Sequence, residues 1–404
     1  MKKTIYISII IILLAAGCRK DLPQLNRPED YYISGNFTGT FEMFWSGMNH
    51  NYVFWEIDTT DWDRVYDEYY PKFKALDTLD ADIVSKKDTA KRYYCKIASG
   101  LIDGHYTIIF DDNSAFVPSS ARSRSHSTSR LWKDYQDQFL YICDKKLTNK
   151  ESYITDDFVV ITGCIPVNGG IVPYFFWSNF YLLQNSSADQ TGRLRDIINN
   201  FFENVIRRPD VKGIILDVRG NGGGNAMEPG MLLGGLTDKD IVMAYTKRKN
   251  GEGRLDYTPW IPFRVITNDS NATSIKAPIV ILTDMHSVSC SELMTMGIRN
   301  LPYGNGVQIG KTTHGGNGKL TYNSVENGGQ FSTVIMFNGI EPRYQQIKLV
   351  YTSSEMTKAA FDGKCYEGKG IPPNIEVDLD IDQYLNSGID TQLERALQYI
   401  TTGN

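Results

Sequence analysis

The chain has 404 residues, 42 of them Lys or Arg and 47 Asp or Glu, for a net charge of −5, and 41% of it is hydrophobic. That length and apolar content suit one large folded domain or two ordinary ones and exclude a disordered chain. The slight acidity excludes a broad basic surface for a phosphate backbone, so nucleic acid is not an expected partner.

The first twenty residues, MKKTIYISIIIILLAAGCRK, place Lys2 and Lys3 before an apolar run too short to span a bilayer, followed by small residues ending at Cys18. This pattern reads as an export signal over residues 1–18. The ending Ala15-Ala16-Gly17-Cys18 resembles the lipobox of bacterial lipoproteins, with the preferred leucine one place early at Leu14. The resemblance implies lipid on Cys18 and an exported lipoprotein on the bacterial cell envelope, at the outer membrane or the periplasmic face, anchored without spanning the membrane. The remaining cysteines, Cys95, Cys143, Cys164, Cys290 and Cys365, form no CxxC pair and no cluster with histidine. They indicate neither a zinc site nor a complete disulfide framework, and no metal or cofactor is expected.

Residues 19–34 read as a tether. Residues 35–117 space aromatic and aliphatic side chains at helical intervals, with Asp61 as the cap of a helix beginning at Trp62, and predict an N-terminal helical subdomain. Residues 118–154, which include the serine- and arginine-rich PSSARSRSHSTSRL, predict a mobile loop and connecting segment. From 155 to 404, short β-rich runs alternate with helical ones. FVVITGCI and GGIVPYFFWSNFYLL read as strands, GRLRDIINNFFENVIRR as an amphipathic helix, VKGIILDV and APIVILTD as buried strands, and DTQLERALQYI as a closing helix. Buried strands alternating with helices predict an α/β core with parallel strands.

Four segments carry residue types that can do chemistry. In TDMHSVSCSELMTMGIRN, residues 283–300, three serines lie between a buried strand and a helix. A hydroxyl there sits near unpaired amides that can stabilise developing negative charge. Ser289-Cys290-Ser291-Glu292 equally fits a helix-capping box, and on these residues alone the cap is the simpler reading. In GIILDVRGNGGGNAMEPG, a strand runs into Asn221-Gly222-Gly223-Gly224, where backbone can approach a ligand closely. No Gly-Lys-Ser/Thr follows, so it is not a nucleotide loop. In SGLIDGHYTIIF, His105 follows Asp103-Gly104 and offers a base for a serine, as do the reserve candidates His286 and His314. In CYEGKGIPPNIEVDLD, Glu367 offers an acid to orient a histidine.

Taken in this order, GLIDGH, GIILDVRGNGGG, PIVILTDMHSVSCSE, IGKTTHGG and GKGIPPNIEV resemble the tail-specific (C-terminal processing) proteases and their relatives, the tricorn-core proteases and the interphotoreceptor retinoid-binding proteins. The N-terminal FWSGMNHNYVFWEIDTTDWDRVYDEYYP resembles the helical region of the bacterial lipoprotein branch of these serine peptidases. The resemblance implies a crotonase-like α/β core over residues 155–404, with Ser289 aligned with the nucleophile. It implies oxyanion donors on the backbone at Gly222 or Gly223 and at Cys290. Residues 106–165 are too few for the PDZ domain that many members insert there, so no complete PDZ domain is expected.

The branches of the family differ in their base. The tail-specific branch uses a lysine, and Gly316 stands where it would fall, with Lys311 and Lys319 out of register. The tricorn-like branch uses an early histidine and a late glutamate, which His105 and Glu367 match, although Gly104 replaces the serine that precedes that histidine. The resemblance therefore implies a serine endopeptidase with Ser289, His105 and Glu367 as catalytic residues, acting on peptide or protein substrates outside the cytoplasm. The alternative is a noncatalytic ligand- or peptide-binding lipoprotein using the same cleft, as the retinoid-binding relatives illustrate.

Overall fold

The computed structural model of the protein describes residues 35–118, 145–251, 253–267, 275–320, 330–331, 344 and 346–403. The export signal with Cys18, the tether, Cys143 and most of the segment predicted as a mobile loop lie outside the described residues.

Three helices come first: α1 (Phe37–Asn51), α2 (Trp62–Thr78) and α3 (Ile83–Ala98). Each starts at a side chain that accepts a first-turn amide, Asn36 from Gly39, Asp61 from Arg64 and Asp82 from Ser85. These caps satisfy donors that no helical carbonyl can reach. The inner faces bury aromatic rings, with Phe41 stacked on Phe73 at 4.7 Å and Phe44 edge-on to Tyr94 at 5.0 Å. Two short strands follow, β1 (Thr107–Phe110) and β2 (Ala115–Phe116).

The larger part of the chain continues with β3 (Thr148–Ile154), β4 (Val159–Val167), β5 (Gly170–Trp177), α4 (Leu182–Ala188), α5 (Arg193–Asn199) and β6 (Ile214–Asp217). Next come α6 (Glu228–Gly234), β7 (Ile241–Arg248), β8 (Ile261–Val265), β9 (Ile279–Thr283), α7 (Cys290–Arg299) and β10 (Gly306–Gly310). The chain closes with β11 (Gln330–Phe331), β12 (Ile347–Tyr351), β13 (Glu355–Ala359), β14 (Ile375–Glu376), α8 (Ile381–Ser387) and α9 (Thr391–Thr402).

Seven strands make the central sheet in the order β14-β10-β9-β6-β5-β4-β3. The five from β14 to β5 are parallel. Successive residues of β6 feed opposite cores: Ile214 and Leu216 pack with Phe175, Ile281 and Met294, whereas Ile215 packs with Val280, Ile309 and Leu393. A strand buried on both faces reads as an unbroken apolar run, which is why VKGIILDV and APIVILTD were legible as core strands.

The expected parallel strands form the centre of the sheet, and one edge departs from them, where β3, β4 and β5 pair antiparallel. Asn168-Gly169, with Gly169 at φ 77°, closes the β4–β5 hairpin. The sheet also begins before residue 155, because β3 is a half-exposed edge strand whose polar residues, TNKESYI, carry no apolar alternation. The run read as a second strand stops at Trp177, and its end becomes α4. The helix predicted over residues 192–208 is α5 continued by a π-helical turn at Asn200–Asn204 and a 3-10 turn at Val205–Arg207.

Late strands bind the helical subdomain to this core. β12 pairs antiparallel with β1, Thr107 facing Tyr351, and β13 pairs with β7. Ile347, Val350 and Met356 thereby complete the aromatic core of the three opening helices. No helix among the described residues is long and apolar enough to cross a membrane.

Candidate active site

Two turns leave the carboxyl ends of adjacent parallel strands, one after β6 and one after β9, the position in an open α/β sheet where ligands bind. The second turn carries Ser289 to the start of α7 at φ 58° and ψ −111°. A positive φ is strained for a residue with a Cβ and persists only where surrounding contacts enforce it. Those contacts are present: the Val288 amide donates to Asn221 O at 3.0 Å, the Ser291 hydroxyl donates to the same carbonyl at 2.7 Å, and the Ser287 hydroxyl donates to Val218 O at 2.8 Å. Glu292 accepts the Ser289 amide at 3.1 Å, so the glutamate arm of the expected capping box is formed.

The glycine-rich turn lies directly against this serine. A Cβ on Gly223 would come within 2.7 Å of Ser289 Cβ and 3.1 Å of the Cys290 nitrogen, and Gly223 sits at φ 97°. Only glycine meets both conditions. The Gly223 amide donates to Asn221 Oδ1 at 3.0 Å, while Asn221 Nδ2 donates to Trp177 O at 2.8 Å. Asn221 is fully buried and orders the turn from within. The Cys290 thiol donates to Gly224 O at 3.2 Å, and burial pushes its pKa up to about 11. It packs as a neutral thiol.

Upstream of the glycines, Arg219 is buried between two carboxylates. Its guanidinium donates to Asp217 at 2.6–3.1 Å, to Asp390 at 2.7 and 2.9 Å, and to Gln392 Oε1 at 3.0 Å. This pins α9, which Asp390 caps, to the base of the glycine turn.

The third turn, Asp103-Gly104-His105, precedes β1. Asp103 accepts the His105 amide at 2.9 Å, the Thr352 hydroxyl at 2.8 Å, and both the amide and the hydroxyl of Ser353 at 2.7 and 2.9 Å. Glu367 accepts the Gly104 amide on Oε1 at 2.7 Å, and the Asn317 and Gly318 amides on Oε2 at 2.9 and 2.8 Å. Potential ligand atoms of Asp103, His105 and Glu367 lie within 4.8 Å of one another. Each carboxylate oxygen accepts at least one proton donor, so hydrogen bonds hold the cluster together. Burial lowers the His105 pKa, opposed by the charge of Asp103. Burial raises that of Glu367 well above the usual carboxylate range, with Asp103 adding to the effect.

The loop 313–318 joins the histidine turn to the serine turn. Glu292 accepts the Thr313 hydroxyl at 2.7 Å and the amides of Gly315 and Gly316 at 2.8 Å, while Glu367 takes the next two amides. Gly104 rests on Gly316, and Gly316 in turn faces Val288, the neighbour of Ser289.

Residues 181–377 match the profile of peptidase family S41. The match spans just under half of the chain. S41 is a family of serine peptidases, and the match marks the chain as a peptidase, a hydrolase of peptide bonds. No curated protein matches the chain. Among solved structures, a candidate peptidase from Parabacteroides merdae is 22% identical, with 92% of this chain and 98% of that one covered at a TM-score of 0.64. Mature CPAF is 10% identical over 91% of this chain and 96% of its own, at a TM-score of 0.54. Both are alike in fold, the crotonase-like α/β core of S41 peptidases.

Within this S41 fold, the lysines near the tail-specific position are engaged elsewhere. Lys311 pairs with Glu376 and Asp378 on the surface at 2.7 and 2.8 Å, and hydrogen bonds to these acids raise its pKa. Lys319 points to Glu355 at 3.7 Å. His314 donates its amide to Ser287 O, and the His286 amide is held by Asp284 at 2.8 Å. Sequence reasoning named Asn221 only as part of the glycine run and missed Thr313 and Ser353, all three being buried polar residues in turns whose composition resembles that of any solvated loop.

Gly104→Ala tests the contact between turns. Its Cβ would come within 2.7 Å of Gly316 Cα and 3.3 Å of Glu367 Oε1, so backbone must move. Overpacking of this kind costs about 1–3 kcal/mol of stability, and displacement of the histidine turn is expected to cost about 10²-fold in turnover. Denaturation curves and peptidase assays read the two effects separately.

Proposed function

We propose that the chain is an exported serine endopeptidase, lipid-anchored through Cys18 on the bacterial cell envelope, that hydrolyses extracytoplasmic peptides or proteins through an acyl-enzyme on Ser289. The observation that carries the reading is the strained conformation of Ser289. A residue that served only as a helix cap would have no need of a positive φ, whereas a nucleophile gains from being held above the glycine turn at a helix N-terminus.

In this mechanism Ser289 Oγ attacks the scissile carbonyl carbon while its proton passes to Nε2 of His105. The carbonyl oxygen gains negative charge and is stabilised by backbone amides. Cys290 supplies one, as a first-turn donor of α7, and Gly222 the other, since the Gly223 amide is donated to Asn221. Collapse of the tetrahedral intermediate breaks the C–N bond, and the imidazolium returns its proton to the leaving amine. Water, deprotonated by the same histidine, then hydrolyses the ester and restores the Ser289 hydroxyl. Asp103 places negative charge beside the imidazolium and lowers the cost of forming it, while Glu367 holds the histidine turn through the Gly104 amide.

A fluorophosphonate reporter tests the assignment. The native chain is expected to be labelled once, with mass-spectrometric peptide mapping locating the adduct on Ser289, and Ser289→Ala is expected to remain unlabelled. Equal labelling of the two proteins, or a native, folded chain that resists the probe, would support a binding role for the cleft in place of catalysis.

A further inference from the structure

The loop between β12 and β13, Thr352-Ser353-Ser354, is buried although each of its residues carries a hydroxyl. Two of those hydroxyls face the histidine turn. Thr352 Oγ1 donates to Asp103 Oδ2 at 2.8 Å, and the Ser353 amide donates to the same oxygen at 2.7 Å. Ser353 Oγ donates to Asp103 Oδ1 at 2.9 Å and also lies 3.4 Å from Nδ1 of His105.

A hydroxyl has one proton and two acceptor lone pairs. The shorter contact, to a carboxylate oxygen, claims the proton. What Ser353 presents to the ring is therefore a lone pair, which can only accept. The matching ring state carries its proton on Nδ1 and its free lone pair on Nε2.

We infer that Ser353 is a positioning residue, relaying the Asp103 carboxylate to His105 so that the imidazole holds the Nδ1–H tautomer and presents a basic Nε2 to Ser289. The inference rests on His105 as the base in the mechanism above. The ionisable groups around the ring are Asp103 and Glu367, with Glu292 behind Glu367 and the phenols of Tyr52 and Tyr106 beside Asp103. Ser353 differs from all of these in having no charge to lose across the working pH range.

Selective 15N labelling of the five histidines, with His105→Gln to assign the signal, reads the tautomer directly in the folded native chain. The expected result is Nδ1 protonated and Nε2 unprotonated at pH values above the His105 transition. The opposite tautomer in the native chain would overturn the inference without recourse to any variant. In parallel, the rate of fluorophosphonate labelling is expected to fall about 10- to 10²-fold in Ser353→Ala, with the ring signal shifting to mixed tautomers, and to recover in Ser353→Thr. If His105→Ala labels as fast as the native chain, the assignment of the base fails. If labelling depends on His105 while Ser353→Ala keeps the native rate and tautomer, the base stands and the relay fails.

Discussion

Replacing His105 with alanine is expected to lower kcat/KM by roughly 10⁶-fold, the loss seen when the base of a serine protease is removed, while Lys311→Ala and Lys319→Ala stay within a few-fold of the native chain. The asymmetry follows from where the side chains are committed. Lys311 is bound to two surface acids that raise its pKa, which keeps it protonated and unable to accept a proton. His105 is partly enclosed in a turn stitched to the rest of the site by Asp103 and Glu367. The same enclosure sets a pH signature. A base must be neutral to accept a proton, and burial depresses the His105 pKa below its ordinary value of about 6.5. Activity limited by this group is therefore expected to persist below that pH and to decline only as the solution becomes more acidic. A kcat/KM profile whose acid limb lies above 6.5, or a lysine variant that abolishes turnover, would transfer the role to another residue.

The second large effect concerns stability. Arg219→Met is expected to destabilise the fold by about 3–5 kcal/mol, measured as a shift in the urea midpoint. Methionine fills a comparable volume, but the substitution leaves Asp217 and Asp390 facing each other in a site that admits almost no water, at 0% and 2% exposure. Two buried carboxylates with no cation between them must either repel or take up protons. The variant is accordingly expected to lose less stability at acidic pH, where the two acids bind protons, than at neutral pH. A loss below about 1 kcal/mol, in the range of an ordinary surface change, would mean that the guanidinium is not the counter-charge its contacts indicate.

How much of this was legible in the sequence depends on how locally each feature is encoded. The buried strands β6 and β9 announced themselves because three or four consecutive apolar residues between turn signals have few other uses. Asp61 as a helix cap was equally local. The antiparallel edge was harder. Asn168-Gly169 between two β-rich runs is a hairpin signal of its own, whereas β3 has no signal to offer, being a polar strand at a sheet margin. The serine, histidine and glutamate came from a resemblance, since no spacing rule relates residues so far apart. Glu292 shows the limit most clearly: its capping role follows from the S-x-x-E pattern, but its hold on Thr313, Gly315 and Gly316 depends on a loop that only the folded chain brings near.

The pairing of β1 with β12 bears on any attempt to dissect the molecule. The span that matches the family, residues 181–377, begins after the histidine turn and after three strands of the central sheet. An excised fragment with those limits would keep the serine and both glutamates yet forfeit the imidazole, and would expose the edge of β12 that β1 covers. It would also lack Asp390 and α9, leaving the Arg219 guanidinium with Asp217 as its one remaining acid, so neither end of the chain is dispensable to the site.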